Sequence, residues 1–424
     1  MLARVSQRSP CARILAAAVA TLLVAWLAVL LLSPDASGPD PAAVEAAEIL
    51  APDALDRAVS YRAELRAVAI LALLAEFAVL TVLAVGRPRR AAELLGRLGR
   101  RPLAGAALAG LGLSLLLAFV ALPAGAWVHE QAAEVGVSTQ DLGGWLFDRA
   151  RAAGIAALLA AAGAAVLIGL QRRLPRGWWL AGSGVIVLFA VVSTFLAPVV
   201  LAPIYNDFEP LEPGAARADV LELADRAGVE VDDVLRVDAS RRGRSLNAYV
   251  DGIGSTRRIV IYDNLLERAN RPELRSLVAH ELGHVAGDDI PRGLLFVAIV
   301  SPLGMLFVRE AGGALAARRG VSPGTPAALP AYALAIATAA FALGIAGNQL
   351  SRAVEERADR FALELTGDPG ALIDLQTRVA TVNRSDPDPP GWASALFATH
   401  PSTVERVGLA RAYEERGPVN PRNP

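Results

Sequence analysis

Seven apolar stretches, each close to the roughly 20 residues a helix needs to cross a bilayer, constrain this chain more than any other feature. They run Ile14–Leu32, Ala67–Gly86, Leu103–Leu122, Ala152–Leu170, Trp178–Ala202, Gly293–Val308 and Ala327–Gly347, the sixth being the shortest. With 54% hydrophobic residues and a mean hydropathy of +0.41, the chain lies outside the usual balance of soluble domains. The expectation is a mainly α membrane protein that has the lipid bilayer as a partner. Trp178 and Trp179 open the fifth stretch, where interfacial aromatics belong. The first stretch follows Arg4, Arg8 and Arg13 as a secretory signal would. Its apolar core is longer than a signal's, and no small-x-small cleavage site follows, so it reads as a retained anchor. Glu76 interrupts the second stretch, and an ionisable group at that depth is expected to face the bundle interior or water.

Four segments follow from this pattern. Residues 1–202 form a membrane region with five spans. Residues 203–292 lie outside the lipid, 293–349 supply two further spans, and 350–424 return to the aqueous part. The 203–292 segment reads as mixed α/β, with helices at Ala215–Ala227 and Glu273–Val285 and strands at Val234–Asp238 and Arg258–Tyr262. The tail reads as helical at Ser351–Leu365 and Ser402–Glu415, with a frayed Pro- and Asn-rich end at Gly417–Pro424. Every basic residue is arginine. Arg87, Arg89, Arg90, Arg97, Arg100 and Arg101 crowd the loop after the second span. Arg172, Arg173 and Arg176 follow the fourth, and Arg318 and Arg319 the sixth. The positive-inside rule makes this the cytoplasmic side and puts 203–292 and the tail on the other. The Arg- and Ala-rich composition suggests a bacterial plasma membrane.

The 41 basic and 42 acidic residues leave no strongly basic face, which argues against a nucleic-acid partner. A single cysteine, Cys11, excludes an intrachain disulfide and a cysteine-based zinc site. The histidines are only His129, His280, His284 and His400. His129 reads as part of an exposed loop beside Glu130. His280-Glu281-Leu282-Gly283-His284 is the central chemical signal. On a helix, positions i and i+4 share a face, so both imidazoles can grip one zinc ion. Glu281 then stands where a general base acts on a zinc-activated water, and a peptide carbonyl is the natural electrophile. Catalytic zinc usually takes a third protein ligand, and no histidine follows at close spacing. Ser351–Asp359 offers carboxylates instead. Glu355 and Asp359 are i and i+4, one suited to the metal and the other to fixing a ligand histidine's tautomer. The same charged run would also suit an ordinary surface helix.

At this point the chain resembles the type I CAAX prenyl proteases, seven-span membrane zinc proteases of the gluzincin kind. The resemblance rests on His280–His284, on Ser351-Arg352…Glu355…Ala358-Asp359, and on His400-Pro401…Glu405-Arg406, in that order. Weaker matches are Pro203–Asn206 with Phe208, Pro210 and Leu211, then Asn247–Tyr249, and Arg258–Val260 with Asp263. It covers about residues 61–408. It implies a seven-helix bundle with a small α+β zincin-like catalytic domain and one zinc ion held by His280, His284 and Glu355. It further implies that Glu281 is the general base and Asp359 the partner of a ligand histidine. His400 would stabilise the oxyanion. Arg406 would pair with Asp359 or with a substrate carboxylate. Asn247, Ala248 and Tyr249 would form an edge strand that binds an extended peptide. Val285 stands where the family often has tryptophan, and Glu356 replaces an aromatic. Eukaryotic members open their site toward the cytosol, opposite to the arginine pattern here. The substrate implied is a peptide or protein with a C-terminal Cys-a-a-X sequence; misfolded or small membrane peptides are the alternative. An HtpX-type quality-control protease shares the zinc motifs but has fewer spans before the first. A non-catalytic membrane scaffold would be marked by a damaged motif, and Glu281 is intact.

Overall fold

The computed structural model describes residues 9–35, 37–86, 88–252 and 257–416. Arg4, Arg8, Arg87 and the Gly417–Pro424 tail lie outside them. In chain order, α1 (Pro10–Leu32) and the short α2 (Ala46–Ile49) precede α3 (Pro52–Thr81), which ends in a π-helical turn over Val82–Gly86. Next come α4 (Arg89–Leu98), α5 (Pro102–Glu134), α6 (Leu142–Arg173) and α7 (Trp178–Val200). The next segment runs α8 (Ala202–Tyr205), β1 (Phe208–Pro210), α9 (Ala215–Arg226), β2 (Asp233–Val237), β3 (Ala248–Asp251), β4 (Arg258–Tyr262), α10 (Asp263–Arg268) and α11 (Arg271–Ala286). Then α12 (Asp289–Arg318) and α13 (Leu329–Thr366) re-enter the bundle, and α14 (Pro369–Val382), α15 (Gly391–Phe397) and α16 (Thr403–Arg416) close the chain.

Among the described residues, seven helices are long and apolar enough to cross a membrane, and they contain the seven apolar stretches. Each outruns its stretch because polar turns continue the helix beyond the hydrocarbon. Large apolar side chains such as Leu15, Leu71, Phe119, Leu158 and Phe189 are exposed, which suits lipid as solvent. The bundle's own contacts are small. Ala25, Ala28 and Val29 of α1 pack on Phe296 and Val300 of α12 and Leu350 of α13, the close approach that small residues allow between membrane helices.

The expected loop around His129 is instead the last turns of α5. Pro123 sits inside that helix without ending it, as membrane helices tolerate. His129 is buried and stacks on Trp145 of α6, with ring centroids 5.2 Å apart. A polar pair near a span's end signalled a loop, but the aromatic partner comes from the next helix and left no local trace.

The sheet has the order β1-β2-β4-β3. β2 and β4 are parallel, while β1 and β3 run antiparallel on the outside. Val220 and Leu223 of α9, Ile259 and Ile261 of β4, and Val278 and Leu282 of α11 form its core. Both α9 and α11 therefore turn one stripe toward that core. α13 spans 38 residues, about 57 Å at 1.5 Å per residue. That exceeds the roughly 30 Å of hydrocarbon. The seventh span and the Ser351–Leu365 helix are thus one continuous rod, and position 349/350 falls inside it.

Candidate metal centre

α11 begins with a capping box: Asn270 accepts from the Glu273 N–H at 2.9 Å, and Glu273 accepts from the Asn270 N–H at 2.8 Å. These contacts satisfy two N–H groups that a helix start leaves orphaned. The helix then presents two faces. Leu274, Val278 and Leu282, four apart, enter the sheet core. His280 and His284 point elsewhere, toward α13. Their Nε2 atoms are 3.1 Å apart and their rings lie edge-to-face. Gly283 sits between them for a steric reason. A Cβ there would come within 3.1 Å of Ala358 Cα and 3.2 Å of Ala358 O, so the glycine lets α13 approach the backbone of α11.

That approach delivers Glu355. Its Oε2 lies 3.2 Å from His280 Nε2, its Oε1 3.5 Å from His284 Nε2. One ligand atom from each of the three residues falls within 4.8 Å of the others. Glu355 Oε2 is buried and accepts no hydrogen bond, a costly state for a carboxylate oxygen unless a cation satisfies it. His280 carries the same message. Burial alone would lower its pKa, but the carboxylates of Asp359 and Glu355 lift it to about 10. The pocket strongly favours positive charge at this point, and a divalent metal competes with the proton for the same lone pair. Two neutral imidazoles and a carboxylate are a donor set that zinc accepts.

Further contacts behind the cluster fix the two histidines. His280 Nδ1 is 2.8 Å from Asp359 Oδ1, and Asp359 is fully buried. Arg406 of α16 forks onto it, Nε donating to Oδ2 at 2.7 Å and Nη2 to Oδ1. His284 has a matching partner that sequence reasoning missed. Its Nδ1 is 3.0 Å from Asp289 Oδ2, and Asp289 is held by Arg357 Nη2 at 2.6 Å. The chain reverses through Asp288 in the left-handed region, φ 53°, which folds the start of α12 back beside His284. An acid five residues past the second histidine, after the Gly287 break, was the only available signal.

His400 Nε2 stands 3.6 Å from Glu355 Oε1, so the histidine faces the same pocket from the loop before α16. Thr399 Oγ1 is 3.0 Å from His400 Nδ1. When that hydroxyl donates, the proton of the neutral ring is on Nε2, facing the pocket. Glu281 is half-buried. Desolvation pushes its carboxyl above the usual carboxylate range, while His280 and His284 pull the other way. Asn247, Ala248 and Tyr249 do not join the metal cluster. Ala248 and Tyr249 open β3 at the sheet edge, pairing with Ile261 and Val260, and β3 packs against α11. Val285 packs on the sheet-domain core. Glu356 pairs with Arg360. Neither substitution reaches the ligands.

Two family models match this chain. Residues 210–414 match peptidase family M48, and residues 39–207 match the CAAX prenyl protease N-terminal region with five membrane helices. The chain is 31% identical to the metalloprotease YhfN of Bacillus subtilis over 308 residues, 71% of this chain and 72% of that one. It is 30% identical to a CAAX prenyl protease 1 homolog of Oryza sativa over 231 residues, about half (53%) of each chain. Protease HtpX of Acinetobacter baylyi matches at 29% identity, over 44% of this chain and 67% of that one. Among solved structures, Ste24p of S. mikatae superposes with a TM-score of 0.74 at 19% identity, covering 95% of this chain and 98% of that one. That likeness concerns the fold.

Proposed function

The chain is a multi-span membrane metalloprotease of peptidase family M48, and on that premise we propose that it hydrolyses peptide bonds with a zinc ion held by His280, His284 and Glu355. The observation that carries the reading is the convergence of the buried Glu355 carboxylate, one oxygen of which no hydrogen bond satisfies, with two imidazole Nε2 atoms. Zinc bound there supplies Lewis acidity, making water a nucleophile near neutral pH. Glu281 takes the proton of the attacking water and returns it to the leaving amine. His400 donates Nε2–H to the oxygen that gains charge. Asp359 and Asp289 orient the two histidines, and Arg406 and Arg357 hold those acids. The substrate lies extended along Asn247–Tyr249, where β3 is the outer strand of the sheet.

For substrate class we propose a peptide anchored at the membrane surface. The prenylated CAAX peptides evoked by the names of the plant relatives are one such kind. Supporting this, α13 carries Glu355 just beyond its apolar stretch, and α11 leads directly into the sixth span. On this reading residues 203–292 and 350–424 are the two parts of the catalytic domain, and the plasma membrane is the location. Treating the purified protein with a strong zinc chelator should abolish cleavage of a reporter peptide, and zinc should restore it ahead of magnesium or calcium. Activity that survives chelation would overturn the proposal.

Two further outcomes follow from the contacts around the cluster. Asp289→Asn should weaken metal affinity by about 10–100-fold, the usual penalty for losing a carboxylate behind a ligand histidine; a competition titration against a zinc indicator measures it. His400→Ala should lower kcat by about 10²–10³-fold, as losing one oxyanion donor does, with metal content unchanged. A His400 variant that loses its metal instead would make it a ligand.

A further inference from the structure

The arginine-rich end of the bundle lies far from the metal centre: Arg309 stands 20 residues along α12 from Asp289, about 30 Å at 1.5 Å per residue. It encloses a separate cavity of about 660 Å³ among α1, α6, α7, α12 and α13. Arg13, Arg172 and Arg309 bring three guanidinium groups to its wall against one carboxylate, Glu310. Glu310 is shared, with Oε2 3.4 Å from Arg13 Nε and Oε1 3.6 Å from Arg309 Nε. Three cations and one anion leave the cavity with a net charge of +2. Two aromatic residues also line it: Trp178 and Tyr332, both buried, meet edge-to-face with centroids 5.5 Å apart.

A buried polar side chain borders the same cavity. Gln171 lines the cavity and is 5% exposed. Its Oε1 accepts the Gly324 N–H at 2.8 Å. A backbone N–H only donates, so the orientation of the amide is fixed and Nε2 is its free end. That Nε2 is buried and finds no acceptor among the described residues. The buried amide N–H adds partial positive charge beside the three guanidinium groups.

We propose that this cavity binds the phosphate group of an anionic phospholipid. Guanidinium forks match phosphate oxygens, and basic pockets between membrane helices are suited to such headgroups. The surroundings favour lipid over soluble phosphate. The cavity opens at the ends of the spans, and Leu15 of α1 and Leu180 of α7, two residues from Arg13 and Trp178, are exposed where acyl chains would lie. None of these residues takes part in the proposed hydrolysis.

Full-length protein in neutral detergent is titrated with short-chain phosphatidylglycerol, with phosphatidylcholine of the same chains, and with inorganic phosphate, and bound ligand is counted by native mass spectrometry. The wild type should hold one phosphatidylglycerol at least about tenfold more tightly than phosphatidylcholine. Arg172→Gln with Arg309→Gln should weaken it by about 100-fold, as two lost charge-assisted contacts would, with metal content and cleavage unchanged. Gly313→Leu keeps every charge but fills the space; a Cβ there meets only Tyr332 Oη, at 3.8 Å. It too should weaken binding. Equal affinity for the two lipids, or phosphatidylglycerol binding untouched in both variants, overturns the proposal. Inorganic phosphate that binds as tightly as the lipid makes the ligand a soluble anion and overturns the lipid assignment.

Discussion

Replacing Glu281 with glutamine is expected to cut peptide cleavage by about 10²–10⁴-fold, the range that general acid–base catalysis contributes, while the metal stays bound. The side chain keeps its size and loses its ability to accept a proton. His280, His284 and Glu355 are untouched, and so are the Asp359 and Asp289 contacts behind the histidines. The loss should fall on kcat, with KM nearly constant, because Glu281 acts on the water rather than on the bound peptide. Single-turnover cleavage of a reporter peptide reads this directly. A glutamine variant that cleaves within about threefold of wild type removes Glu281 from the mechanism.

The second large effect is on stability. Arg406→Ala should destabilise the catalytic domain by about 3–5 kcal/mol, the typical result of removing one partner from a buried ion pair. Asp359 is 0% exposed and would keep only His280 as a partner. The double variant Arg406→Leu with Asp359→Asn tests the cause. It leaves no stranded charge, so it should recover much of the stability. It should still hold metal poorly, because a neutral amide does not orient and polarise His280 as the carboxylate does. Thermal unfolding in detergent and metal titration separate the two readouts. An alanine variant that unfolds at the wild-type temperature would mean that the pair contributes nothing.

The sequence made the local parts legible. Spans announce themselves by length and hydropathy, and His280 with His284 needs only one turn of helix. The strand Arg258–Tyr262 was also visible, and the one expected at Val234–Asp238 lies one residue earlier, at Asp233–Val237, because their apolar runs are bounded by charges and turns. Glu355 is a different case. It stands beyond a membrane span, and its own surroundings, Glu356, Arg357 and Arg360, read equally well as a solvated helix face. Only the order of several motifs singled it out. Asp289 gave less still: its role depends on the reversal at Asp288, a backbone feature without a sequence pattern of its own. His129 was misread for the same physical reason. Trp145, which buries it, belongs to another helix, and hydropathy along one helix says nothing about the next. The continuity of α13 was likewise hidden, because Gly344, Gly347 and Asn348 look like an end although packing against α1 and α12 carries the helix through.

Metal content tests the central claim most directly. Elemental analysis of purified wild type, Glu281→Gln and Glu355→Gln should find one zinc per chain in the first two and little or none in the third. Zinc that stays stoichiometric in Glu355→Gln with unchanged affinity would contradict the three-residue site, and a wild type that takes up no zinc when supplied with it would contradict the whole account.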